Sequence, residues 1–96
     1  MRKRLKIQTL DSRWHDKDNV MLHAAFQCLV DFIEKEKPDE IVDWEGTGSE
    51  AYTAWNEMNV LYAWWKARPA GWSDDTYEED QIMLHRLVEI RGFLWT

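Results

Sequence analysis

The sequence predicts a mainly α fold: three amphipathic helices with a short N-terminal strand, which a second short strand near 40–44 can pair with. Three observations predict it. Apolar residues recur at helical spacing in three long stretches, Pro38 and Pro69 close the first two, and Leu5–Leu10 starts with the alternation of a strand. With 96 residues, 45% of them hydrophobic and 31% charged, the chain is expected to form one small domain, 1–96, around a modest core.

The elements follow in order. Leu5-Lys6-Ile7-Gln8-Thr9-Leu10 reads as the strand and Asp11-Ser12-Arg13 as a turn. The first helix is expected to begin near Asp16 or Asp18 and to run to about Lys37, where Pro38 stops it. Leu22, Ala25, Phe26, Leu29 and Ile33 form its buried stripe, widened by Met21, Cys28 and Phe32. Asn19, His23, Gln27, Asp31 and Glu34 take the opposite, wetter face. Glu40-Ile41-Val42-Asp43-Trp44 is the second candidate strand, and two short strands need the support of the helices.

Gly46-Thr47-Gly48 is a loop. Thr47 and Glu50 have capping-box spacing, with Ser49 as an alternative cap, so the second helix spans about Ser49 to Ala67. Its stripe is Ala51, Ala54, Trp55, Met58, Leu61, Tyr62 and Trp65. After the loop from Pro69 to Asp75, Thr76 and Glu79 repeat the capping-box spacing. The third helix, about Tyr77 to Leu94, directs Met83, Leu84, Leu87, Val88, Ile90 and Leu94 to the core. Its start echoes the first helix: Asp18-Asn19-Val20-Met21-Leu22-His23 parallels Asp80-Gln81-Ile82-Met83-Leu84-His85. Both read as acidic first turns set against a helix dipole, which suggests equivalent packing roles.

Composition limits the function classes. Arg2, Lys3, Arg4 and Lys6 are a small basic tip, so the rest of the chain holds ten net negative charges to reach −6. Direct DNA or RNA binding is not expected from so small a basic footprint. Charges interrupt every apolar stretch, and no apolar segment follows the basic tip, so neither a membrane span nor a signal peptide is expected. Cys28 is the one cysteine, which leaves no disulfide framework and suits a cytoplasmic protein.

Candidate chemistry is sparse, and neither a cofactor nor a metal is expected. His23, His85 and Glu89 are the residues that a metal or acid–base site would need to bring together if helices one and three pack side by side. Asp31 and Glu34, with Glu78, Glu79 and Asp80, invite comparison with all-α Mg²⁺-dependent nucleotide pyrophosphohydrolases. The second acidic group sits at a helix start rather than along a face, which favours solvated carboxylates. No nucleophile motif or glycine-rich phosphate loop is present.

Seven tryptophans are the outstanding feature. Trp64 and Trp65 are adjacent, and adjacent helical residues point about 100° apart, so one narrow stripe cannot hold both. Trp55 and Trp65 fit the stripe of the second helix, whereas Trp14, Trp44 and Trp95 read as lids over a thin core. Trp64 falls on a flank with Val60 and Arg68. Trp64, Arg68 and Trp72, with Trp14 or His15, are the candidate binding surface for a protein partner or a small nucleotide-like ligand. Exposed aromatics on so small a protein also suit a homodimer.

Several segments carry a resemblance. They are Trp14-His15-Asp16, the Met21-Leu22-His23 helix start, Val30-Asp31-Phe32-Ile33-Glu34-Lys35-Glu36, Leu61-Tyr62-Ala63-Trp64-Trp65-Lys66-Ala67-Arg68-Pro69 and Arg91-Gly92-Phe93-Leu94-Trp95-Thr96. Over most of its length the chain resembles small proteins of tailed bacteriophages. The group brings no activity, cofactor or catalytic residue with it. The resemblance implies a viral protein in the cytoplasm of an infected bacterium, acting on host or defence machinery by binding, or else a phage structural or assembly component.

Overall fold

A computed structural model describes residues 5–11, 13–41, 43–44, 48–68 and 74–94. The fold is mainly α, with helices α1 (Lys17–Glu34), α2 (Pro38–Ile41), α3 (Ser49–Ala67) and α4 (Asp74–Glu89), then a 3₁₀ turn, Arg91–Phe93. No helix among the described residues is long and apolar enough to cross a membrane.

Neither expected strand is present among the described residues. Leu5–Ile7 is irregular and Gln8–Leu10 is a turn and bend, because this segment takes its hydrogen bonds from side chains of α1 instead of a neighbouring strand. Glu40 and Ile41 lie in α2, and Trp44 follows in a turn. Pro38 begins that short helix, where a missing N–H costs nothing. It also disfavours the α conformation at Lys37, which takes φ +48°. Thus α1 stops at Glu34, three residues before the expected end, with Lys35 and Glu36 N–H groups closing onto the Asp31 carbonyl.

The helix α3 has the bounds the sequence suggests. Thr47 lies outside the described residues, and the N-terminal cap is Gly48, at φ +114° and ψ +165°, with no side-chain capping bond. That conformation belongs to glycine almost alone. A Cβ there meets nothing within 4 Å, so any cost of adding one is conformational. Gly48→Ala should therefore lose about 1–3 kcal/mol in urea unfolding, whereas Gly92→Ala, in open space with no such φ, should be near neutral.

The helix α4 begins at Asp74, before the expected start, and ends at Glu89. Thr76 is therefore inside the helix rather than its cap, and Glu79 bonds a neighbouring helix. Contacts of Trp64 with Glu79 and Arg68 with Asp80 join the end of α3 to the first half of α4, while Glu57 in the middle of α3 meets Arg86 near the end of α4, making the two helices antiparallel. The starts of α1 and α4 share a shallow groove lined by Asp18, Leu22, Tyr77 and Gln81, but the echoed positions do not pack equivalently: Met83 and Asp80 are buried where Met21 and Asp18 are exposed, and His23 is buried where His85 is exposed.

The core joins Leu22, Phe26, Leu29, Val30 and Phe32 of α1 to Ala51, Ala54, Met58, Leu61 and Trp65 of α3 and Met83 and Leu87 of α4. Trp44 closes one end, stacked on Trp55 with centroids 5.1 Å apart and planes 3° from parallel. This is the lid role expected of Trp44. Met21, Cys28 and Val88, counted with the stripes in the sequence, are exposed. The buried arc of α1 is rotated the other way, toward His23 and Gln27.

Candidate functional site

The rotation of α1 creates the site. His23 and Gln27 are one turn apart and buried, although both belong to the face expected to be wet. The irregular N-terminal segment covers them. The Gln8 backbone N–H donates to Gln27 Oε1 at 3.0 Å, and Gln27 Nε2 donates to Asp31 Oδ1 at 2.9 Å. The Thr9 hydroxyl and His23 Nδ1 share a hydrogen bond of 2.6 Å. Buried polar groups need partners, and the Gln8 backbone N–H and the Thr9 hydroxyl supply them here.

On the far side lies the end of α3. Trp65 stacks on Phe26, centroids 4.7 Å apart and planes 11° from parallel, and its indole meets the His23 ring edge-on at 4.9 Å. The Arg68 guanidinium lies 5.3 Å from the centre of the same indole. Between the N-terminal segment, α1 and α3 is a cleft of about 370 Å³. Its walls include Gln8, Thr9, His23, Gln27, Trp65 and Lys66, with Arg68 at one end. Its volume falls within the range of small-molecule sites, and its mix of an aromatic wall with a few convergent polar groups is typical of them.

The cations at this cleft are paired. Arg68 donates through Nε to Asp80 Oδ1 at 2.7 Å and through Nη2 to Oδ2 at 2.6 Å, a two-pronged bond with side chains only 5% and 8% exposed. Lys66 Nζ lies 3.1 Å from Glu34, which also accepts the Tyr62 hydroxyl. That hydroxyl, with Lys66 beside it, holds the Glu34 carboxyl below the usual range, and the carboxylate in turn raises the Tyr62 pKa.

Burial lowers the His23 pKa below its ordinary 6.5, and the Arg68 charge adds to the effect, with a smaller push from His15 against the opposing pull of Asp80. A depressed histidine stabilises the fold above the unfolded value and loses that contribution as pH falls through 6.5 toward the folded value. The native chain should therefore unfold more readily at pH 5.5 than at pH 7.5, and a His23→Gln variant should flatten that slope in urea titrations. An unchanged slope would assign the acid sensitivity elsewhere.

The sequence-predicted residues occupy different settings. Trp64 is half-buried, 5.3 Å from the Phe26 ring centre, and its indole N–H donates to Glu79 Oε1 at 2.5 Å. Arg68 belongs to both the cleft and a smaller hollow with Trp64 and Glu79. Trp72 and Trp95 lie outside the described residues. Trp14 is 79% exposed, so it lids nothing among the described residues. His15 Nε2 lies 3.0 Å from Asp11 Oδ1, in a surface turn where Arg13 also binds Asp11 and, chiefly through that bond, lowers its pKa.

His85 is exposed and pairs with Glu89 at 2.9 Å, whereas His23 is buried against Trp65, so the two imidazoles occupy unlike environments. No group of three or more metal-binding side chains gathers among the described residues. Asp31, Glu34, Glu79 and Asp80 each bond a different partner, Gln27, Tyr62, Trp64 and Arg68 respectively, rather than facing a common centre. Sequence reasoning missed Thr9 and Gln27 as site residues. The one available signal was two polar side chains, His23 and Gln27, at i,i+4 opposite the apolar period of the first helix. Compared with known protein families, characterised proteins and solved structures, the chain matches none.

Proposed function

We propose that this protein is a non-enzymatic binding protein that sequesters a small nucleotide-like molecule in the cleft between its N-terminal segment, α1 and α3. The carrying observation is the 370 Å³ cleft itself, with buried His23 and Gln27 on one wall and Trp65 on another. Aromatic surface and fixed polar groups together suit a flat heterocycle with hydrogen-bonding edges. The setting we propose, from the resemblance to small phage proteins, is the cytoplasm of an infected bacterium.

Thermal melts with a panel of nucleosides and nucleotides test this reading. At least one should raise the melting temperature, since a ligand that binds only the folded state stabilises it. Gln8 is exposed at the cleft, and its backbone bond to Gln27 does not depend on its side chain. Gln8→Trp should therefore obstruct the cleft and abolish the ligand shift while leaving the unliganded melt nearly unchanged. No shift with any compound, or a shift indifferent to Gln8→Trp, would refute the cleft as the binding site.

A second reading, occlusion of a host or phage protein, rests on Trp14. An indole 79% exposed beside the Asp11–Arg13–His15 turn has the character of an interface anchor.

A further inference from the structure

The cleft's charges identify the part of the ligand it reads. A site built for phosphate offers cations or backbone N–H groups not already committed to carboxylates. Here Arg68 is held in two places by Asp80, with both side chains buried, and the half-exposed Lys66 pairs with Glu34 at the rim. A phosphate taking Arg68 would displace a buried carboxylate and leave it without its cation, which is costly.

The uncharged polar groups are arranged differently. His23 is 5% exposed and lines the cleft, with Nδ1 fixed by the Thr9 hydroxyl. Its Nε2 makes no hydrogen bond to any described residue. A neutral imidazole with Nδ1 fixed presents a single donor or a single acceptor at Nε2, set by which partner carries the proton in the Thr9 bond. Trp65 and Val30 supply apolar wall beside it, and Gln8 and Thr9 supply exposed polar groups.

Building on the proposed cleft function, we infer that the cleft recognises the uncharged heterocycle of its ligand, the class of a nucleoside, through His23 Nε2 and the N-terminal segment, and that no dedicated phosphate subsite is built from its described residues. Phosphates on the ligand extend toward solvent and contribute little affinity.

The test is titration calorimetry of the unmodified protein with adenosine, guanosine, cytidine and uridine, each beside its 5′-monophosphate, followed by competition with inorganic phosphate. At least one nucleoside should bind within about threefold of its monophosphate, a difference below about 1 kcal/mol. Inorganic phosphate should not displace it. Raising salt from about 0.1 M to about 1 M, which shortens the screening length from about 10 Å to about 3 Å, should leave nucleoside affinity nearly unchanged. A monophosphate that binds more than about tenfold tighter than its nucleoside, or displacement by inorganic phosphate, would overturn this inference while the cleft stands as a ligand site. Binding by none of the eight compounds would overturn the proposed function and this inference with it.

Discussion

Arg68→Ala is expected to destabilise the fold by about 3–5 kcal/mol, because it leaves the buried Asp80 carboxylate without its cation. In a domain of this size such a loss lowers the melting temperature by more than about 10 °C. The pair ties the end of α3 to the second turn of α4 through two bonds with little access to water. Surface ion pairs such as Arg13–Asp11, with Arg13 fully in solvent, carry no comparable effect. Asp80→Leu should be comparably harmful, since it strands the guanidinium. The double variant, Arg68→Met with Asp80→Leu, should melt above either single one, because removing both charges also removes their desolvation cost. Strictly additive losses in this double-mutant cycle would show that the pair does not act as a unit.

Phe26→Ala should cost about as much, roughly 3–5 kcal/mol. Phe26 is fully buried, stacks on Trp65, and receives Trp64 on another side at 5.3 Å. Truncation removes a ring packed against both adjacent indoles and leaves a cavity bounded by rigid aromatics that cannot collapse into it. The change should also show in near-ultraviolet circular dichroism, where packed indoles contribute asymmetric bands. A Phe26→Leu variant, which refills part of the volume, should recover a substantial share of the loss. If Phe26→Ala melts within a few degrees of the unmodified protein, the aromatic stack is not central to the core.

Much of the helical plan was legible in the sequence. The second helix was the clearest case, since Ala51, Ala54, Met58, Leu61 and Trp65 keep a strict period and all five are buried. Trp65 is buried as that stripe placed it, and Trp44 takes the lid role its place in a connection suggested. The N-terminal segment was not legible as it is. Leu5–Leu10 alternates, but its polar atoms have partners on α1, and no local pattern announces a tertiary hydrogen bond between Thr9 and His23, fourteen positions apart.

The same contact explains why the wet face of the first helix was misread. Helical periodicity orders residues by hydrophobicity, so a histidine and a glutamine covered by a folded-back segment look like solvent residues. Trp64 also reads differently in three dimensions. It remains on the flank of the stripe, yet it packs on Phe26 and donates to Glu79, so its loss would cost stability as well as surface. The Arg68 partner was likewise beyond local reasoning, because Asp80 lies across the 69–73 connection on another helix.

The cleft is the central claim, and amide and indole chemical-shift mapping by NMR tests it most directly. Titrating in whichever nucleoside or nucleotide raises the melting temperature should move signals of Gln8, Thr9, His23, Gln27 and Lys66, together with the Trp65 indole N–H, in one saturable process. Signals of Trp14 and of the exposed α4 residues Tyr77 and Ile82 should stay in place. Shifts gathered on Trp14 and α4, with the cleft residues unmoved, would contradict the account.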